Sequence, residues 1–396
     1  MEYIRDIFNN HSVAFAHLST KELKQLVRIF RMLSNPRISK LGVQLLKRFG
    51  YIQLPVIKHL QRWLFRPFYA GTSLQTCESA VISLSNYRVH SYLNYAIEDS
   101  STESEFDTNC EMVQKLIIHA AKSNDIPFSV CKPTSFGHKH LFQKINAKHS
   151  LNAEEQIAWK RIMNRFCSCC QIAQEHGVAL LIDAEEYSMQ IAADLLVLDL
   201  MREFNHNKAV VYNTVQLYLV DGNHRLEQMH MQAIQQSFHL GVKLVRGAYM
   251  EKERKIAQKK GISSPICASK AETDISYKAA VDYCFKHISN IAVVLGSHNE
   301  ESMIQAINLM NKYEIKRNDH RIWFSQLLGM SDYISFVLAH KGYNVVKFIP
   351  FGSMDKLIPY LARRAEENTA IAGQTTRELV RLQKELKRRA TAASEQ

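Results

Sequence analysis

Between residues 360 and 368 the chain reads Tyr-Leu-Ala-Arg-Arg-Ala-Glu-Glu-Asn. On a helix, Tyr360 is three residues from Arg363 and four from Arg364, so a phenol and a guanidinium share a face. Two adjacent forked cations beside a phenol could clamp a small carboxylate. Leu357, Leu361 and Ala365 recur at helical spacing, so this helix should pack on an apolar surface. The alternative is a solvated face on which Arg363 pairs with Glu367. Pro359 removes a backbone donor just before Tyr360, so the helix should begin or kink there and aim the arginines.

Other chemistry-bearing side chains fall at the ends of short apolar runs. They are Lys132, the run Asp183-Ala184-Glu185-Glu186, then Asn213 and Gln216 with Tyr218 beyond. Lys243 and Arg246 precede Gly247-Ala248-Tyr249, Ser297-His298-Asn299 closes a further run, and Gln326 precedes Leu327-Leu328-Gly329-Met330. Each alone has a plain explanation: a strand-end Asp caps a helix, a lone His is hydrogen-bonded, a Lys pairs with an acid. Their recurrence at one end of successive runs is harder to explain that way. Gathering Lys132, Asp183, Lys243 and Arg246 in one mouth costs desolvation unless they pair or meet a charged ligand. The cations outnumber the acid, so the expected ligand is anionic, either a phosphate-bearing cofactor or a carboxylate substrate.

The elements that must position these groups follow from periodicity. Short β-rich runs occur at 91–97, 127–132, 179–183, 209–215, 241–247, 291–297, 321–327 and 344–350, each followed by room for a helix. Near-continuous apolar strands alternating with helices indicate a parallel sheet buried on both faces. The α/β class follows, and eight units over about 300 residues fit a (βα)8 TIM-like barrel, with chemistry at the strands' C-terminal ends. A doubly wound open sheet is the runner-up. Against it, no strand leads into a G-x-G-x-x-G turn or a P-loop. Residues 1–75 read as helices without strands, with Ser19-Thr20-Lys21-Glu22 offering a cap before a helix to about Leu33. The expected organisation is a helical arm over 1–75 and a barrel over 76–396, with a C-terminal helix over its mouth.

The 396 residues are 46% hydrophobic and 22% charged, which fits a soluble globular chain with a large core. The net charge of +12 is concentrated in 20–66 and 377–389. Its cations are scattered among apolar helical positions without a nucleic-acid module, so solvated faces are expected and a nucleic-acid partner is not. A weak membrane-surface contact is the second choice, because 57–66 (Ile-Lys-His-Leu-Gln-Arg-Trp-Leu-Phe-Arg) is basic and amphipathic. No apolar run approaches the ~20 residues of a membrane span. The start, Met-Glu-Tyr-Ile-Arg-Asp, has no signal or transit character, so a cytoplasmic location is expected. The eight cysteines lack paired metal spacing, and Cys167, Cys169 and Cys170 cluster in a predicted helix over 161–174. Reduced thiols and no metal are expected. His138 and His140 form an HxH without further ligand spacing and read as a solvated loop. No Ser or Cys sits on a G-x-S-x-G elbow.

With these residues in order, the chain resembles the proline dehydrogenase family, and its monofunctional branch in particular. The motifs are Tyr-Leu-x-Arg-Arg-Ala-x-Glu-Asn at 360–368, Asp-Ala-Glu at 183–185, Lys-Leu-Val-Arg-Gly-Ala-Tyr at 243–249, Ser-His-Asn at 297–299 and Gln-Leu-Leu-Gly-Met at 326–330. They span roughly residues 68–389 in the family's order. The resemblance implies a distorted (βα)8 barrel that binds FAD without a Rossmann fingerprint. It implies oxidation of L-proline to Δ1-pyrroline-5-carboxylate, the first step of proline catabolism, by hydride transfer to flavin N5, with a membrane quinone as electron acceptor.

By the same resemblance Arg363 and Arg364 match the pair that grips the proline carboxylate, while Tyr360 and Tyr249 match pocket walls. Lys132 and Asp183 match a charged pair by the substrate, and Glu367 an acid near that cluster. Lys243 matches the residue that reaches flavin N5, where bifunctional relatives have Arg. Gln216, Arg246, Gly247, Lys270, Thr273, His298 and Asn299 match flavin contacts. Met250 stands where some relatives have Trp, and Asn94 where Asp is usual. Phe348 stands where proline-specific members have a Tyr against the substrate ring, and hydroxyproline-preferring members have a smaller residue. Two alternatives stay open from sequence: a hydroxyproline-preferring dehydrogenase of the same fold, and an inactive barrel serving as a binding module.

Overall fold

The computed structural model describes residues 7–35, 63–96, 100–354, 357–358, 361 and 374–394. The first elements are α1 (His11–Ala14), α2 (Thr20–Leu33), α3 (Leu74–Ser85), β1 (His90–Tyr95), α4 (Glu103–Ala120), β2 (Phe128–Cys131), α5 (Lys139–Asn146) and α6 (Ala153–His176). Next come β3 (Ala179–Ile182), α7 (Tyr187–Phe204), β4 (Val211–Gln216), α8 (Gly222–Gln235), β5 (Leu240–Val245), α9 (Met250–Lys260) and α10 (Lys270–Lys286). The last are β6 (Ile291–Gly296), α11 (Glu300–Lys312), β7 (Ile322–Leu327), α12 (Asp332–His340), β8 (Val345–Phe351) and α13 (Gln374–Ser394).

Each strand coincides with an expected apolar run to within a residue or two at its ends. The reason is burial on both faces: β2, β4 and β8 are buried along their whole length. The strands form one eight-stranded sheet in the order β1-β8-β7-β6-β5-β4-β3-β2. From β2 to β8 successive strands are neighbours, and β1 lies parallel to β8, in register from His90 opposite Val346 to Tyr95 opposite Phe351. A doubly wound sheet would reverse its order at a switch point. Here the order runs one way and returns β1 to β8, the (βα)8 arrangement.

Two compact units make up the chain: residues 1–96 with 326–396, and residues 97–325. In the first, the Ser19 hydroxyl accepts from Glu22 N while the Glu22 carboxylate accepts from Ser19 N, so α2 starts at the expected capping box. Leu23, Leu26, Val27, Ile29 and Phe30 give α2 its buried face. On the C-terminal helix Arg377, Lys384, Lys387 and Arg388 are exposed, as expected of a solvated face, while Arg381 and Arg389 are half-buried and depart from it. Arg389 donates to the carbonyls of Phe15 and Leu18 at 2.8 Å each, and Arg381 to that of Phe8 at 2.7 Å. Carbonyls on either side of α1 thus accept from guanidinium groups. Of the basic stretch 57–66, only 63–66 lie within the described residues, and there Phe65 is buried.

In the second unit several helices begin at side-chain caps, and Asn299 supplies one of them, for α11 after β6. Thr102 with Glu105 and Asn152 with Glu155 form capping boxes for α4 and α6. His138 also corrects the sequence reading: it is half-buried at the N-cap of α5, edge-on to Phe106 at 4.9 Å, and only His140 is exposed. Among the described residues, no helix is long and apolar enough to cross a membrane.

Candidate active site

Within residues 97–325, polar side chains from three consecutive strands converge. Thr214 on β4 is registered with Lys243 on β5, so both side chains leave the sheet on the same face. Just past β3, Asp183 accepts from Lys243 Nζ and, at 3.3 Å, from Thr214 Oγ1. The pair is largely removed from solvent, Lys243 being 8% and Asp183 18% exposed in their side chains. The carboxylate belonging to Lys243 is therefore Asp183. Lys132 makes no ion pair with Asp183 among the described residues; its charge acts on Glu185 instead.

Glu185 is buried and fixes the turn that follows Lys132, accepting from Thr134 N at 3.0 Å and from Thr134 Oγ1 at 2.8 Å. Burial pushes its carboxyl above the usual range, and the nearby Lys132 charge and the Thr134 bonds offset only part of that. Two residues beyond Thr214 on the same face, Gln216 donates to the Glu185 carbonyl at 3.1 Å. Its side-chain oxygen is buried with no hydrogen-bond donor among the described residues. Glu185 belongs to the Asp-Ala-Glu motif, but its role as the brace of the Lys132 turn shows only in the fold. The partner it holds, Thr134, is 51 residues away.

A second group of cations lies past β5 and at the start of α10. Arg246 donates to Asp274 Oδ1 at 2.7 Å, to Ser297 Oγ at 2.8 Å and to Ser302 Oγ at 3.1 Å. Its guanidinium also lies 4.4 Å from the centre of the Tyr277 ring. Lys270 pairs with the other oxygen of Asp274. Burial pushes the Asp274 carboxyl up, but the bonds from Lys270 and Arg246 more than offset it, leaving the group below the usual range. Thr273 is buried one turn into α10 and donates to Ser269 O at 3.2 Å. His298 is half-buried after β6. Asn299 caps α11, its side chain accepting from Ser302 N at 3.0 Å, so the structural explanation of a strand-end amide holds for its oxygen.

Gly247 has φ +125°, and a Cβ there would lie 2.4 Å from the buried Tyr218 ring. No residue with a side chain fits at position 247 without moving that ring. Tyr249 occupies the N-cap of α9, and Met250 packs against Tyr218, Leu219 and Ile266.

Within residues 1–96 and 326–396, Phe348 is buried on β8 and meets the Tyr92 ring edge to face at 5.2 Å. Asn94 is buried on β1. Gln326, a strand-end polar residue, accepts from Ser335 Oγ at 2.8 Å. Gly329 has φ +72°, and a Cβ would come within 2.3 Å of the Pro67 carbonyl, so its motif demands glycine for backbone reasons. Leu357 and Leu361 are buried, as the apolar stripe requires. Pro359, Tyr360, Arg363, Arg364 and Glu367 lie outside the described residues.

Sequence reasoning missed one feature of this unit. Lys347 alternates with Phe348, so it points to the opposite face of β8. Its side chain is 0% exposed and pairs with Asp332 at 2.8 Å. It also donates to the Met330 carbonyl at 2.6 Å and the Leu327 carbonyl at 3.3 Å. His17 lies 3.1 Å from the other Asp332 oxygen, and Glu378 on α13 accepts from Ser331 N at 3.2 Å. A charged residue inside an otherwise apolar strand was the available signal.

Residues 77–377 match the family described as proline dehydrogenase. The carbapenem antibiotics biosynthesis protein CarD of Pectobacterium carotovorum subsp. carotovorum is 37% identical over 322 residues, 81% of this chain and 83% of that protein. Mitochondrial proline dehydrogenase 1 of Dictyostelium discoideum is 30% identical over 424 residues, 96% of this chain and 74% of that protein. Hydroxyproline dehydrogenase of Xenopus laevis is 29% identical over 411 residues, 94% of this chain and 88% of that protein. Among solved structures, proline utilization A (PutA) from Bdellovibrio bacteriovorus, inactivated by N-propargylglycine, matches with a TM-score of 0.76 at 18% identity. That match covers 94% of this chain and 42% of that one, and it speaks for the fold. The chain belongs to the proline dehydrogenase family of oxidoreductases.

Proposed function

We propose that this protein oxidises L-proline to Δ1-pyrroline-5-carboxylate with bound FAD and passes the electrons to a membrane quinone, as the first step of proline catabolism. The observation that carries the reading is the convergence of Asp183, Thr214 and Lys243 from three strands beside Gln216, in a chain of this family. The residues fit a flavin. Gln216 offers a buried acceptor that wants an N–H donor, and Lys243, Arg246 and Lys270 suit a phosphate-bearing ligand. Gln216, Lys243, Arg246, Gly247, Lys270, Thr273, His298 and Asn299 would hold the cofactor. When bound, the flavin would supply, at N5, the acceptor for a hydride from the substrate ring carbon beside nitrogen.

The remaining work falls to the chain's own side chains. Arg363 and Arg364 grip the substrate carboxylate in a fork and fix the ring in position. Tyr360, Tyr249 and Phe348 wall the ring and exclude water. Lys132 and Asp183 set the charge around the substrate nitrogen, which must shed a proton as the carbon loses its hydride, and Glu367 borders that cluster. Lys243, oriented by Asp183, places positive charge where negative charge grows during the reaction. Residues 1–75 form an arm on the enzyme domain of 76–396. Quinone reduction calls for a peripheral site at a membrane surface, here assigned to the cytoplasmic face of the inner membrane.

Purified protein supplied with FAD should reduce a quinone analogue or a redox dye when given L-proline. Protein that takes up FAD yet reduces no acceptor with any cyclic amino acid would contradict the reading. Phe348, where proline-specific members have Tyr, and the similarity to a hydroxyproline dehydrogenase favour 4-hydroxyproline as the second candidate. The ratio of kcat/KM for the two amino acids separates them; a ratio above one for proline is expected, because the Phe348 ring opposes a ring hydroxyl by bulk.

A further inference from the structure

Four of the eight cysteines, Cys110, Cys131, Cys169 and Cys170, lie buried around β2, α4 and α6. Two of them face each other across the seam of two helices. Cys110 on α4 and Cys169 on α6 bring their sulfurs to 3.7 Å. The surroundings differ. Cys169 is fully buried, whereas Cys110 sits just beneath two half-exposed polar residues. Gln114 Nε2 donates to Cys110 Sγ at 3.6 Å, and Ser168 Oγ is 3.6 Å from the same sulfur. Gln114 and Ser168 are themselves joined at 3.0 Å. A small neutral oxidant reaching that seam meets Cys110 first.

We propose that Cys110 and Cys169 are a redox-sensitive thiol pair that a hydroperoxide converts into a disulfide between α4 and α6. In the first step the Cys110 thiolate attacks one peroxide oxygen. An S–O bond forms, the O–O bond breaks, and the departing oxygen takes a proton and leaves as water or an alcohol. The sulfur is oxidised by two electrons to a sulfenic acid. In the second step the Cys169 sulfur attacks the Cys110 sulfur and gives up its proton, the S–O bond breaks, and water leaves. The hydroperoxide is the only co-reactant.

Exposure assigns the roles, Cys110 lying beneath half-exposed Gln114 and Ser168 and Cys169 fully buried, and the electrostatics agree. The hydrogen bond from Cys169 lowers the Cys110 thiol below the ordinary thiol range; burial opposes this, while Ser168 and the Arg165 guanidinium reinforce it. The bond with Cys110, then burial, hold Cys169 well above that range. Burial, reinforced by nearby thiols and carboxylates, holds Cys131 and Cys170 well above it as well. Cys110 is the attacking thiolate and Cys169 the resolving thiol.

The bridge would join the two helices that brace the turn after Lys132. Asn109, next to Cys110, donates to Ser135 O at 3.0 Å, and Arg165, one turn from Cys169, donates to Phe136 O at 3.0 Å. A redox change at this pair therefore acts on the frame that carries a strand-end residue of the candidate site.

The flavin-loaded protein is treated with hydrogen peroxide, its free thiols are alkylated, and its peptides are mapped by mass spectrometry. A Cys110–Cys169 linked peptide is expected, abolished by dithiothreitol, together with a higher Tm that the same reductant reverses. In Cys169→Ser the expectation is a Cys110 sulfenic acid trapped by dimedone, with no linked peptide. In Cys110→Ser, Cys169 should stay reduced. Oxidation confined to half-exposed Cys167, with Cys110 and Cys169 recovered as free thiols from wild-type protein, would overturn the proposal. That outcome does not depend on either variant folding.

Discussion

Lys243 on β5 and Lys347 on β8 both interrupt apolar strands of one sheet, and each meets an aspartate. The partners' surroundings separate them. Asp183 is 18% exposed, with Thr214 and Lys243 as its partners, and Gln216 close by carries a buried oxygen without a donor among the described residues. Asp332 is 8% exposed and meets His17 as well as Lys347, whose remaining protons go to the carbonyls of Leu327 and Met330. The Lys347–Asp332 pair closes on itself, although its neighbour His17 keeps a buried Nδ1 without a partner among the described residues. The first pair keeps polar capacity for something that is not protein. A lysine whose protons all go to protein acceptors at full burial serves architecture, whereas an ion pair that keeps solvent contact beside an unsatisfied amide oxygen is positioned for a ligand.

The sharpest way to break this comparison is to remove each lysine. Lys347→Met leaves buried Asp332 with His17 as its remaining partner, and breaking a buried pair in this manner costs about 3–5 kcal/mol. Urea unfolding should show the loss, and flavin uptake by the surviving folded protein should be close to normal. Replacing Asp332 by Asn in the same chain should recover part of the stability, because that buried charge is then gone.

Lys243→Ala should behave in the opposite way. Removing one preorganised charge from a reacting centre lowers kcat by about 10²–10³-fold, or about 2.7–4 kcal/mol. Unfolding should shift little, because Thr214 and nearby solvent still serve Asp183. Equal loss of stability in both lysine variants, with turnover retained in Lys243→Ala, would erase the distinction.

Glu378 gives the closed cluster a pH signature. Burial pushes its carboxyl up from 4.5 to about 8; Asp332 reinforces that, while Lys347, the Ser331 N–H and Arg381 oppose it. Between those values the folded protein binds more protons than the unfolded chain, so this group makes stability fall as pH rises. Glu378→Gln keeps the acceptor for Ser331 and removes the titration. The variant should unfold less readily than wild type near pH 8, with a flatter profile between pH 5 and 8. Asp332 works with the other sign. Burial pushes it up, Lys347 and His17 more than offset that, and its stabilisation fades as pH drops below about 3.8.

The smallest effect is expected at Phe348. It meets the Tyr92 ring edge to face, and a hydroxyl at its tip changes one polar contact in an aromatic wall. Phe348→Tyr should move the proline to hydroxyproline ratio of kcat/KM by about tenfold or less. An unchanged ratio would remove this residue from the specificity argument.

Most of the architecture was legible because its signals are local. Strands buried on both faces write themselves as apolar runs, and Ser19 with Glu22 marks the start of α2 within four residues. The strand-end polar residues were visible for the same reason. What stayed hidden depends on partners far apart in sequence. Asp183 and Lys243 are 60 residues apart, so no pattern could say that Asp183 belongs to Lys243 and not to Lys132. His17 reaches Asp332 over 315 residues, and Arg389 reaches Phe15 over 374, so two helical cations that look solvated in sequence, Arg381 and Arg389, prove to donate to backbone carbonyls. Glu185 was quoted in a motif, but only the fold shows it holding Thr134.

The most direct test of the central claim is an anaerobic absorbance spectrum of the purified, FAD-supplied protein before and after L-proline. The account predicts bound oxidised flavin with its visible bands, bleached on mixing with proline, and bleached far more slowly in Lys243→Ala. A protein that binds no flavin, or one whose flavin spectrum proline leaves untouched, would contradict it.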